Sequence, residues 1–150
     1  MPKINKLSHV VFFVSDVERS KVFYRDILGM ELISDRPEDG PSAFLSFGKQ
    51  HHDVALFQAP PGATRGDLGL FHAAFQVDGG DKELRAIRQH VIDAGVEIEN
   101  QQFHGITKSV YFRDPDGTLI EFYTEQMSPE DGLKYMRDQT GLGVSEPLEI

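Results

Sequence analysis

A chain of 150 residues with 39% apolar side chains is long enough for one domain, or for two small modules sharing a core, and too apolar for global disorder. Its formal net charge of −9 speaks against non-specific nucleic-acid binding and against docking on an anionic membrane, since both need a basic face. Cysteine is absent, which removes disulfides, thiolate metal sites and cysteine nucleophiles, so any metal must sit on His, Asp or Glu. No apolar run approaches the roughly 18 residues of a membrane span, and no apolar stretch follows the charges of the first six residues. The expectation is a soluble cytoplasmic protein without a signal peptide.

Leu7 to Val14 (LSHVVFFV) is β-branched and aromatic and reads as a buried strand. Asp16 is placed to cap a helix carrying Val17, Val22, Phe23, Ile27 and Leu28, which Gly29 ends. Met30 to Ser34 is a short strand and Pro37 to Pro41 a loop. Ala43 to Phe47 and Val54 to Phe57 are two more strands around a turn, completing β-α-β-β-β. Ala59 to Gly69 has linker composition.

The order then restarts. Leu70 to Val77 is a strand, and Asp81 to Ala94 a helix with Leu84, Ile87, Val91 and Ile92 on one face, ended by Gly95. Val96 to Ile98, Ser109 to Phe112 and Leu119 to Tyr123 are strands, the last two joined by Asp114-Pro-Asp-Gly117. Ser128-Pro129-Glu130-Asp131 predicts a capped helix to about Gln139, and the last residues are expected to be loosely ordered. The repeat is visible in the residues: His9 and His72 each open H-x-x-F-x-V, 63 positions apart. The fold expected is α+β, with module one at about 4–60, a linker at 61–68, module two at about 69–125 and a tail at 126–150. The two β-α-β-β-β modules are expected to pair into a curved open sheet around a metal site.

His9 and His72 occupy equivalent places in the repeat, and Glu121 sits between bulky apolar residues in Leu119-Ile-Glu-Phe-Tyr123. Taken singly, each has a plainer reading, a core histidine with a satisfied hydrogen bond or a solvent-facing glutamate. A buried unpaired carboxylate costs several kcal/mol, so a buried Glu121 needs a positive partner. Two neutral imidazoles and one carboxylate suit a divalent first-row metal and form the facial triad of non-haem Fe(II) oxygenases; Zn(II) or Mn(II) could take the same ligands.

Three further stretches carry a resemblance: His51-His-Asp-Val-Ala-Leu-Phe57, His104-Gly-Ile-Thr-Lys-Ser-Val-Tyr111 and Phe112-Arg-Asp-Pro-Asp-Gly117. With the paired histidines and Glu121, they make the chain resemble the vicinal oxygen chelate superfamily over about Leu7 to Glu125. That is the fold of glyoxalase I, extradiol dioxygenases and bleomycin-resistance proteins, and the chain is most similar to the single-domain catechol 2,3-dioxygenase-like branch. The resemblance implies His9, His72 and Glu121 as metal ligands. It implies His52 near the O₂ site, His104 as an acid/base or substrate-contacting group, and Tyr111 as a phenol hydrogen-bonded to a substrate oxygen. His51 reads as a solvated turn residue and His90 as surface. Glyoxalase I adds a glutamate on the last strand of module one, where this chain has Ala55, or Phe57 if the register slips.

The activity implied is Fe(II)- and O₂-dependent ring cleavage of a small aromatic diol. The alternatives are a glyoxalase-like metal-dependent lyase or isomerase, and a metal-free drug-sequestering protein. Nucleic acid and membrane are not expected as partners, and a homo-oligomer, dimer or higher, is.

Overall fold

The computed structural model of the protein describes residues 9–37, 40–49, 51–64, 70–138 and 145–150. The chain divides into two compact units, Met1–Asp67 and Leu68–Ile150. The expected start of the first strand, the centre of the 37–41 loop, the end of the linker and the end of the last helix lie outside the described residues.

Unit one contains β1 (Val10–Val14), α1 (Val17–Asp26), β2 (Glu31–Arg36), β3 (Ser42–Ser46) and β4 (Val54–Gln58). Its sheet has the order β1-β4-β3-β2, with β1 parallel to β4 and the other pairs antiparallel. Asp16 caps α1 as expected, its Oδ1 accepting from the Arg19 N–H at 3.0 Å. Gly29 follows the helix at φ 70°, a left-handed conformation that glycine adopts without strain.

Strand alternation sorts β1 into two faces. Phe12 and Val14 enter the core, whereas Val11 and Phe13 are 53% and 71% exposed. The strand expected to be buried is therefore buried on one face only, and His9 shares the parity of the open face. Val22, expected on the inner stripe of α1, is exposed, while Val17, Ser20, Lys21, Phe23 and Tyr24 are buried.

Unit two repeats the plan with β5 (His72–Gln76), α2 (Asp81–Asp93), β6 (Ile98–Phe103), β7 (Thr107–Arg113) and β8 (Leu119–Glu125). The order is β5-β8-β7-β6, again with a parallel first pair. Even the irregularities repeat: register shifts fall at Leu32/Ser34 in β2 and at Ile98/Asn100 in β6. On α2, Leu84 and Val91 are buried, but Ile92 is exposed rather than on the packed face.

The main departures lie after Val96 and at the C-terminus. The strand expected at Val96 to Ile98 runs instead from Ile98 through the polar Asn100-Gln-Gln102 to Phe103. Its second edge takes a further strand, β9 (Glu146–Pro147), with Gln102 opposite Pro147, and Leu148 N–H donates to Gln101 O at 3.2 Å. The residues expected to be loosely ordered thus include a short paired strand. Edge pairing supplies backbone partners that composition does not reveal. Between β8 and β9 lies α3 (Pro129–Asp138), capped by Ser128, whose Oγ accepts from the Asp131 N–H at 3.1 Å.

Loss of the α1 cap gives a direct check on this local reading. Asp16→Ala is expected to lower unfolding stability by about 1 kcal/mol in urea titration; an unchanged midpoint would mean that the cap is not formed in solution.

Candidate metal and substrate site

In unit two the register brings four polar side chains into one network. Glu121, at 7% exposure, stands on the interior strand β8, opposite Tyr111 on β7 and opposite Ala74 on β5. His72 lies two residues before Ala74 and so on the same face. The small Ala74 side chain leaves the Glu121 carboxylate flanked by His72 and Tyr111. The Tyr111 hydroxyl donates to Glu121 Oε1 at 3.0 Å, and His72 Nε2 lies 3.1 Å from Glu121 Oε2. His104, in the turn before β7, places Nε2 2.8 Å from the Tyr111 hydroxyl.

The β7–β8 turn holds this register. Asp114, buried, accepts from the N–H groups of Asp116 at 3.0 Å and Thr118 at 2.7 Å, and Gly117 N–H donates to Asp114 O at 2.9 Å. From there the pairs count back from Arg113 with Leu119 to Tyr111 with Glu121. The Asp-Pro-Asp-Gly turn is thus what aligns the phenol with the carboxylate. Burial, then the Glu121 charge and its hydrogen bond, push the Tyr111 hydroxyl up to about 12, so it stays a donor at neutral pH.

A cavity of about 380 Å³ opens beside His104 and Tyr111, walled by Phe71, Leu119, Gln102 and the Arg113–Glu99 pair. Arg113 Nη2 donates to Glu99 Oε1 at 2.8 Å, and its Nη1 donates to Gly117 O at 2.8 Å. Neither Arg113 nor Glu99 stands out in the sequence, because their pairing follows from the neighbouring positions of β6 and β7 and not from any motif.

In unit one, His9 precedes β1 and is exposed. Its ring lies 4.4 Å from that of His52, which also meets Phe44 edge-on at 5.3 Å. Asp53 builds the supporting turn: its Oδ2 accepts from Phe47 N–H at 2.8 Å and Ser46 Oγ at 2.9 Å, while its carbonyl accepts from Val10 N–H at 3.0 Å. Burial, followed by the charges of His9 and His51, lowers the His52 pKa and favours its neutral form. His51 is exposed, as expected for a turn residue, but its Nδ1 lies 2.6 Å from Nδ1 of His52. One of those two nitrogens must carry the proton, so His51 bears on the His52 tautomer, a role that a solvated turn residue would not have.

The structure therefore gathers His72, His104, Tyr111 and Glu121 within unit two, and His9 with His52 within unit one. Among the described residues no group of three His, Asp or Glu side chains is gathered that could hold a metal ion. The His72–Glu121 pair nevertheless fits a divalent ion. Two ligands about 90° apart on an octahedral ion, each about 2.0–2.2 Å from it, stand about 3 Å from one another, close to the 3.1 Å between these two atoms. Imidazole nitrogen and carboxylate oxygen are the donor types such an ion prefers. His72 Nδ1 is buried and has no hydrogen-bond partner among the described residues. His90 lies exposed on α2. No helix among the described residues is long and apolar enough to cross a membrane.

The tandem β-α-β-β-β arrangement defines the fold class, and the His72–Glu121 pair backed by Tyr111 is its candidate metal site. Its sequence over residues 6–122 matches the profile of the Glyoxalase/Bleomycin resistance protein/Dioxygenase superfamily, and the chain belongs to that family. Relatives include biphenyl-2,3-diol 1,2-dioxygenase 3 of Rhodococcus globerulus, 32% identical over 89% of this chain and 71% of the relative. The metallothiol transferase FosB of Staphylococcus epidermidis is 32% identical over 90% of this chain and 91% of its own length. A lactoylglutathione lyase of Neisseria meningitidis is 31% identical over 87% of this chain and 97% of its own length.

The hydrogen bond between Tyr111 and Glu121 can be weighed by removing it. Tyr111→Phe is expected to destabilise the metal-free protein by about 1.5 kcal/mol, the lower end for a hydrogen bond to a charged group. Urea unfolding that superimposes on wild type would show that Glu121 does not depend on the phenol.

Proposed function

We propose that the protein is an extradiol ring-cleaving dioxygenase that uses Fe(II) and O₂ on a small aromatic diol, with His9, His72 and Glu121 as the metal ligands. The observation that carries this reading is the continuous network His104–Tyr111–Glu121–His72, in which a protonated phenol stands between a carboxylate and an imidazole able to move protons. Relatives of nearly equal identity are named as dioxygenase, transferase and lyase, so identity alone does not choose among these activities.

Against a glyoxalase-like lyase stands the repeat itself. Glu121 pairs with the residue two beyond His72, and the residue paired two beyond His9 is Ala55, opposite Val11. Ala55 cannot ligate a metal, so the second carboxylate of the glyoxalase pattern has no counterpart there. A triad without it keeps positions free for a chelating diol and for O₂.

The ion, when bound, supplies Lewis acidity toward the two diol oxygens and a route for electrons to O₂. The chain's own groups handle position and protons. Tyr111 stays protonated, because burial and Glu121 hold its proton, and its hydroxyl oxygen accepts a hydrogen bond from a substrate hydroxyl. His104 exchanges a proton through its Nε2, which meets the Tyr111 hydroxyl. His52, favoured in its neutral form, offers an imidazole where oxygen chemistry needs a proton acceptor or donor. The cavity beside His104 accommodates the part of the diol that does not react. Overall, one diol and one O₂ give one ring-opened semialdehyde carrying both oxygen atoms.

Anaerobic loading with Fe(II), followed by a catechol panel in air, tests the reading: a yellow product with equimolar oxygen uptake is expected. Bound iron without oxygen uptake would favour a lyase or isomerase, and failure to bind any divalent metal would favour a sequestering protein. His9→Ala and Glu121→Ala are each expected to lose stoichiometric iron, measured by elemental analysis, with far-UV circular dichroism unchanged. His52→Phe is expected to retain iron and lose at least about 100-fold in turnover, the low end for a positioned acid/base; wild-type turnover would remove His52 from the mechanism.

A further inference from the structure

The match to the family ends at residue 122, yet the chain continues and returns to the turn that carries His104. Three contacts define that turn. His104 N–H donates to Thr107 O at 2.8 Å, closing it from within. Gln126 N–H, just past β8, donates to Ile106 O at 2.8 Å. Tyr135, half-buried on α3, sets its phenol end against Gly105. A β-carbon added at Gly105 would clash with the Tyr135 hydroxyl and stand 2.8 Å from its Cζ. A φ of 81°, which side chains disfavour, calls for glycine at 105, and the space beside it is filled by the end of the Tyr135 side chain. The Ser128 cap fixes the first turn of α3 only two residues after Gln126, so both anchors come from one short segment.

We infer that Tyr135 is a positioning residue for His104: its phenol end seats the turn at 104–106, so that the His104 imidazole stays on the Tyr111 hydroxyl. A positive-φ glycine next to the working imidazole is a backbone joint with many conformations open to it, and packing on its α-carbon is what selects one. Displacement of an acid/base by about 1 Å can cost up to about 100-fold in rate. The inference rests on the proton-handling role given to His104 under the proposed function, and it adds Tyr135, which lies outside the family match.

The test has two arms. In metal-free, ¹⁵N-labelled protein, imidazole correlations are recorded with His104→Gln identifying the His104 signal among the six histidines. Tyr135→Ala is expected to move the His104 Nε2 resonance away from its hydrogen-bonded position, and Tyr135→Phe, which loses the hydroxyl but keeps Cζ and Cε1 beside the turn, to bring it most of the way back. In the iron-loaded enzyme, Tyr135→Ala is expected to lower kcat about tenfold with KM within about twofold, and Tyr135→Phe to recover wild-type kcat. An unmoved His104 resonance in Tyr135→Ala overturns the inference whatever the turnover, as does a Tyr135→Phe variant that behaves like Tyr135→Ala. If the wild-type enzyme cleaves no diol, the dioxygenase reading fails by itself, and the resonance arm still decides the role of Tyr135.

Discussion

A carboxylate on an interior strand of a sheet is the constraint around which unit two is arranged. Glu121 is almost fully buried, and a lone carboxylate there would cost several kcal/mol. The sheet meets that cost with the Tyr111 phenol on one oxygen and the His72 imidazole beside the other. Each depends on register: Tyr111 is directly opposite Glu121, and His72 is one same-face step from the residue opposite it. A slip of one residue in either pairing would turn the carboxylate's partner to the other face. The Asp114 turn therefore acts on the site from a distance, by holding the count between β7 and β8.

The two units use one scaffold for different tasks. Strand order, parallel first pair, terminating glycine and even the register shift recur. The side chains at equivalent positions do not. Glu121 is matched by Ala55, so unit one lacks a carboxylate where unit two has one. Unit one instead brings histidines together: His9 and His52 are in ring contact, with His51 at the His52 Nδ1. Duplication supplies two places where a strand-opening histidine stands beside its partner strand. Divergence at the partner position then makes one of them a carboxylate site and leaves the other apolar.

Local pattern was enough to read most of the architecture. Apolar alternation, the Asp16 and Ser128 caps and the glycines after α1 and α2 mark element types and order, because capping and periodicity act within a few residues of sequence. The repeated H-x-x-F-x-V segments marked the duplication and pointed to His9 and His72, and the apolar setting of Glu121 flagged it as a buried charge in need of partners. The faces of β1 and the outer stripes of α1 and α2 were harder: Val11, Phe13, Val22 and Ile92 are apolar yet exposed, and residue type does not state which side a sheet covers. Tertiary structure alone decided the contacts between residues far apart in the chain. The pairing of Arg113 with Glu99, of β9 with β6 and of Tyr135 with Gly105 comes from strands and helices meeting in space, and no periodicity encodes it. The sequence by itself determined which residues can ligate, donate or cap; the fold determined which of them touch, because hydrogen bonds and packing act over a few ångströms and depend on the register and turns that bring distant segments together.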